Sequence, residues 1–298
     1  MMNQSDMTAK IKHGHGFIAA LDQSGGSTPK ALAGYGIAEG SWSNDDEMYA
    51  LIHEMRSRII RSPAFTGDKV IGAILFERTM DGQVDGVATP QALIAKGIVP
   101  FIKVDLGLEA EENGVQMMKP VPGLDALLDR AHGLGVFGTK ERSVINSANQ
   151  AGIAVLVAQQ FQMAGQIIAK GMMPIIEPEV NITSADRDQS DHLLLAALSE
   201  ELDHLPEGQQ VMLKLSLPAT PGLYDPLVLH PKVLKVVALS GGFGRAEACT
   251  LLKQNPQMIA SFSRALLCDL RADMSDSEFD AALGGAIDSI YDASVNKG

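Results

Sequence analysis

Eight short apolar runs, separated by stretches with helical spacing, set the tightest limit on how this chain can fold. They are GFIAALD (16–22), VIGAILFE (70–77), GIVPFIKVD (97–105), VFGTKERS (136–143), MPIIEPEV (173–180), VMLKLSL (211–217), one within HPKVLKVVALSGGFG (230–244) and IASFSRALL (259–267). Continuous apolar runs of this length read as strands covered on both faces. Strands alternating with helices pair in parallel through βαβ crossovers. Eight such units in 298 residues predict an α/β fold, a closed (β/α)8 TIM barrel, taken here as a single catalytic domain over residues 1–298. An open doubly wound sheet is the alternative, but no GxGxxG fingerprint follows the first strand.

The flanking segments are read more loosely. Residues 1–15 are polar and form a short N-terminal arm or helix, and 275–294 form a C-terminal helix. Helical spacing also covers 44–61, 123–135 and 184–205, while 144–171 reads as two helices around a short apolar piece. Residues 106–121 read as a long acidic loop.

A hydrophobic content of 46% supplies a large core. The net charge of −12 argues against nucleic acid and anionic membrane surfaces as partners, while leaving room for a local basic pocket. Cys249 and Cys268 form no CxxC pair, the N-terminus has no apolar secretory core, and no apolar run approaches the length of a bilayer span. These features predict a soluble, cytoplasmic protein.

Lys214 sits in the middle of VMLKLSL. Desolvating an ammonium costs several kcal/mol unless it is paired or neutralised. The lysine therefore either reaches a carboxylate at the strand end or serves as a desolvated amine that attacks carbonyls. The other strand ends favour the second reading, because they carry Asp22, Glu77, Lys103, Lys140 with Arg142, Glu177 with Glu179, Ser240, and Ser263 with Arg264. Chemistry in such barrels gathers at the C-terminal ends of the strands. Glu177 and Glu179 could carry the proton transfers of imine formation, or simply pair with Lys140 and Arg142. Nearby cations such as Lys140 would favour the neutral amine at Lys214. The turn Ser240–Gly241–Gly242 and the pair Ser263 and Arg264 lie where barrels bind phosphate. Lys103, Arg142 and the loop carrying Ser24 and Ser27 make a second anion site. Two anion sites around an imine-forming lysine predict a sugar phosphate charged at both ends. None of the seven histidines falls at a strand end, so no metal cofactor is expected.

The segments AALDQSGGS, AILFERTM, FIKVDLGL, GLDALLDRA, TKERS, IIEPEV, MLKLSL, LSGG and SFSRAL occur in an order and spacing that resembles class I fructose-bisphosphate aldolase over nearly the whole chain. The resemblance implies a lyase of glycolysis and gluconeogenesis that cleaves fructose 1,6-bisphosphate without a metal. It implies that Lys214 forms a Schiff base with the ketose phosphate and that Glu177 is the acid/base residue, assisted by Glu179, Lys140 and Asp22. One phosphate is then expected at Ser240, Gly241 and Arg264, the other near Ser24, Ser27, Lys103 and Arg142. The small-molecule substrate is the expected partner, and a homo-oligomer is compatible with it. Two residues depart from the family pattern: Gln23 stands where glutamate is frequent, and Ser263 where glycine is frequent. The tyrosine-ended tail of the animal enzymes is not seen, and Tyr291 lies too early to replace it. Other Schiff-base barrels, transaldolase-like or deoxyribose-phosphate-aldolase-like, and a non-catalytic barrel that binds a phosphorylated ligand are the alternatives.

Overall fold

In the computed structural model, which describes residues 2–297, all eight apolar runs contain a strand. The strands are β1 (Phe17–Leu21), β2 (Val70–Leu75), β3 (Val99–Lys103), β4 (Gly138–Ile145), β5 (Met173–Val180), β6 (Val211–Ser216), β7 (Val233–Leu239) and β8 (Ile259–Ala260). Each pairs in parallel with the next in chain order. The seam is narrow: the Ala20 N–H of β1 donates to the Phe262 carbonyl just past β8, at 3.1 Å. The sheet is thus a nearly closed parallel barrel surrounded by helices, the (β/α)8 architecture.

Side chains along a strand point alternately to its two faces. One set, including Phe17, Ala19, Leu21, Leu213 and Leu215, belongs to the large core shared with the helices. The other, including Ile18, Ala20, Val99, Phe101, Ile175 and Met212, forms a second cluster inside the barrel. That cluster is completed by Met7 and Ile11 of helix α1 (Gln4–His13), both fully or nearly buried. The N-terminal segment is therefore a helix and not a loose arm. Asn3 and Asp6 cap it reciprocally, and burying each apolar side chain contributes roughly 1.5–3 kcal/mol. Phe101 fills the barrel centre only because Gly138 stands beside it. A Cβ on Gly138 would lie 3.0 Å from the Phe101 ring and 2.1 Å from the Met173 carbonyl oxygen.

The inward-facing positions change character along the strands. They run Ile18 and Ala20 on β1 with Asp22 just past its end; Val99, Phe101, Lys103 on β3; Gly138, Lys140, Arg142 on β4; Ile175, Glu177, Glu179 on β5; and Met212, Lys214 on β6. The lower barrel is a packed core closed by α1, while the C-terminal mouth is charged. This division positions the site.

Several boundaries differ from the sequence reading. β2 ends at Leu75, and Glu77 opens a helical turn, Glu77–Met80. Its carboxylate pairs with Arg130 and does not line the mouth. The eighth strand is two residues long, and Arg264–Leu267 is a helical turn. Residues 144–171 hold one helix, Gln150–Ala169, capped by Asn149. That helix is long and apolar enough to cross a membrane by length and composition, contrary to the expectation that no such stretch exists. Its buried residues, such as Ile153, Leu156, Phe161 and Ile167, instead join the barrel's outer core.

Candidate active site

The charged mouth opens into a cavity of about 930 Å³. At its floor Lys214, 4% exposed, places Nζ 2.9 Å from Glu177 Oε1. The register brings the two together, because Ile176 pairs with Leu213 and their successors are Glu177 and Lys214. The other Glu177 oxygen lies 2.8 Å from Lys140 Nζ, which also contacts Asp22 Oδ2 at 2.8 Å.

The charges explain one another. Burial pushes the Glu177 carboxyl upward, yet Lys140 and Lys214 outweigh it and hold the group below the ordinary glutamate value. Asp22 is opposed by burial in the same way, but Lys140 and Lys214 hold it well below the aspartate range. For Lys140, burial favours the neutral amine, and the negative charges of Asp22, Glu177 and Asp105 reverse this and raise it well above an ordinary lysine. Lys140 is thus a permanent cation that keeps its carboxylates ionised. Lys214 contacts Glu177 alone among the described carboxylates.

On the neighbouring side, Lys103 Nζ pairs with Asp105 at 2.7 Å, and Arg142 Nε with Glu179 Oε2 at 2.6 Å. Asp105, 5% exposed, also accepts the Arg142 N–H at 3.2 Å and lies 3.9 Å from Lys140. Its position in the sequence, two residues past Lys103, placed it on the same face, but its role in joining three basic residues follows only from the pairing of β3 with β4.

Across the cavity, β7 ends in the turn Ser240–Gly241–Gly242. Gly241 adopts φ 59°, and a Cβ there would meet the Ile182 side chain at 2.7 Å, so the turn requires glycine. Arg264 extends toward this turn, with Nη2 3.7 Å from where a Cβ on Gly242 would lie. It makes no ion pair among the described residues. Asp269, the carboxylate within reach in sequence, is held by Arg245 at 2.7 Å. Ser24 and Ser27 lie in an exposed turn at the rim, where the Ser27 hydroxyl both accepts from the Ser24 N–H and donates to its carbonyl. The structure therefore brings all the expected site residues to one cavity except Glu77 and Gly242, the latter lying in the turn but not among the lining residues. It adds Lys30, Lys119, Gln23 and Ser261, which the sequence reading did not assign.

Fold and mouth together define a (β/α)8 barrel whose cavity couples a buried lysine pair to acidic partners and is rimmed by cations. The family model of glycolytic class-I fructose-bisphosphate aldolase matches residues 4–200, and the chain belongs to that family. Among solved structures, fructose-bisphosphate aldolase of Plasmodium falciparum, crystallised in a ternary complex with TRAP and a small-molecule inhibitor, superimposes with a TM-score of 0.75 at 19% identity. The alignment covers 99% of this chain and 94% of that one. The Cgl0159 protein of Corynebacterium glutamicum matches with a TM-score of 0.57 at 13% identity, covering 97% and 91%. At these identities the two structures show the shared fold.

Proposed function

We propose that the protein reversibly cleaves fructose 1,6-bisphosphate to dihydroxyacetone phosphate and glyceraldehyde 3-phosphate through an imine on Lys214. The observation that carries this reading is the buried contact of Lys214 with Glu177 at 2.9 Å, in the mouth of a barrel of this family. An ammonium must lose a proton before it attacks a carbonyl, and Glu177 is in contact to take it. The amine then adds to the ketose carbonyl, and Glu177 returns the proton as water leaves the carbinolamine. In cleavage, a base removes the proton of the C4 hydroxyl, the C3–C4 bond breaks, and its electron pair passes into the enamine. Glu177, the carboxylate in contact with Lys214, accepts that proton, and protonation of the enamine at C3 followed by hydrolysis of the resulting imine frees dihydroxyacetone phosphate and Lys214. Lys140 with Asp22 keeps Glu177 ionised between transfers, and Glu179 holds Arg142 in place. The protonated imine keeps the single positive charge of Lys214, so the charge beside Glu177 is preserved.

Cations stand on two sides of Lys214 in the strand order, Arg264 after β8 beside the Ser240 turn and Lys103 and Arg142 on β3 and β4, with Ser24 and Ser27 lining the same cavity. That arrangement favours a ketose with two phosphates over the monophosphates used by related Schiff-base barrels. On this reading the enzyme serves glycolytic or gluconeogenic carbon flow in the cytoplasm. The first test is cleavage of fructose 1,6-bisphosphate coupled to detection of triose phosphate, and absence of product would reject the assignment.

Two further results follow from the same reading. Arginine can clamp a phosphate with two charge-assisted hydrogen bonds. Replacing Arg264 by alanine should therefore weaken use of the bisphosphate by about 10–150-fold in kcat/KM. The melting temperature should hardly move, because Arg264 is exposed and unpaired among the described residues. A loss of stability with normal kinetics would remove Arg264 from the site. The chemistry assigned to Lys214 and Glu177 also calls for no Lewis acid, so prolonged dialysis against EDTA should leave activity intact. Inactivation that zinc reverses would contradict an imine mechanism.

A further inference from the structure

Gln23 and Ser263 face each other across the seam between β1 and β8, and both line the cavity. The Gln23 Nε2–H donates to Ser263 Oγ at 2.6 Å. Ser263 Oγ makes no other hydrogen bond among the described residues. A serine hydroxyl has one hydrogen to give and two lone pairs to offer. With one lone pair taken by the amide, the hydrogen is directed away from Gln23. The next residue, Arg264, carries the unpaired guanidinium over the Ser240 turn.

Gln23 is itself held from behind. Arg56, 1% exposed, donates through Nη2 to the Gln23 carbonyl and through Nη1 to Thr79 Oγ1 at 2.7 Å. This buried guanidinium ties the turn after β1 to the turn after β2, so the Gln23 main chain is fixed independently of its side chain. The side-chain amide is then free to act across the seam, and being uncharged it adds no repulsion toward an anion.

We propose that Gln23 is a positioning residue for the phosphate bound at Arg264: its amide occupies the Ser263 oxygen and turns the Ser263 hydrogen into the cavity toward that anion. The substrate assignment rests on the function proposed above, whereas the anion chemistry does not. The test replaces Gln23 by glutamate, whose carboxylate can only accept. It draws the Ser263 hydrogen across the seam and presents lone pairs and a charge to the phosphate. Expected is a rise of about 10-fold in KM for fructose 1,6-bisphosphate and in Kd for inorganic phosphate measured by calorimetry, with the loss carried by KM and not by kcat. Gln23→Met, which removes the donor without adding charge, should shift both constants about 3-fold in the same direction. It also serves if the acidic variant does not fold. In a Ser263→Ala background, Gln23→Met should change neither constant further.

The outcomes separate the two readings. A wild type that cleaves the bisphosphate while Gln23→Glu binds phosphate as tightly as wild type overturns the role of Gln23. So does a Gln23→Met effect that persists in the Ser263→Ala background, because the residue would then act without the serine. A wild type inert toward the bisphosphate, whose phosphate binding nevertheless weakens in Gln23→Glu, rejects the aldolase assignment and supports the positioning role.

Discussion

Replacing Lys214 by methionine should lower cleavage of fructose 1,6-bisphosphate by about 10⁴-fold or more, because no other amine can take over a covalent step built around one nucleophile. Lys140, the other buried lysine at the mouth, is unsuited: Asp22, Glu177 and Asp105 surround it and hold its proton firmly. Lys103 is bound to Asp105. Borohydride reduction in the presence of dihydroxyacetone phosphate should accordingly inactivate the wild type and label the peptide containing Lys214. Label on Lys103 or Lys140 would refute the assignment. Stability should fall only modestly. Asp22, Asp105 and Glu177 balance Lys103, Lys140 and Lys214 in this cluster. Removing Lys214 leaves one excess negative charge, but Glu177 keeps Lys140 beside it. The loss should be smaller than the roughly 3–5 kcal/mol of a buried pair fully broken. A folded variant without activity is the expected product.

Strand identity was legible because burial on both faces leaves no polar alternation, and eight such runs admit few topologies. Lys214 was legible for the opposite reason, since a cation inside an apolar run is costly and needs an explanation. Chain order alone could not say where each strand stops. Phe76 continues the apolar run of β2 and Glu77 reads as its charged end, yet Glu77 turns outward to Arg130 once the helical turn begins. The eighth run likewise reads as one strand through Leu267, although only Ile259 and Ala260 pair with β7. Asp105 was visible as a strand-end carboxylate, but its contacts with Lys103, Lys140 and the Arg142 backbone depend on the register of β3 against β4. Arg56 did leave a signal. It lies four residues after Ile52 and three before Ile59, on the apolar face of the helix Asp45–Arg61, where a guanidinium must find buried acceptors.

The remaining large effect concerns Glu177. Among the described residues it is the one carboxylate in contact with both buried lysines, of which only Lys214 is assigned covalent chemistry. Glutamine keeps the shape but can neither take a proton from Lys214 nor return one to a leaving hydroxyl. Glu177→Gln should therefore reduce kcat by about 10²–10⁴-fold, the range for a positioned general acid/base. Imine formation and dehydration should both slow, so less adduct should be trapped by borohydride at short times than in the wild type. The pH dependence gives an independent check. Burial raises the Glu177 carboxyl, and Lys140 and Lys214 more than offset that, so its protonation lies below the ordinary glutamate value. The acidic limb of kcat/KM that Glu177 sets in the wild type should consequently fall below that value and vanish in the glutamine variant. The same depressed value means that Glu177 stabilises the fold above the unfolded glutamate pKa and loses that contribution as pH falls through the folded one. The variant should thus lose stability relative to wild type at neutral pH, with the difference shrinking in acid. A glutamine variant that retains wild-type kcat and the acidic limb would reduce Glu177 to an ion-pair partner and move the proton transfers to another group of the cavity.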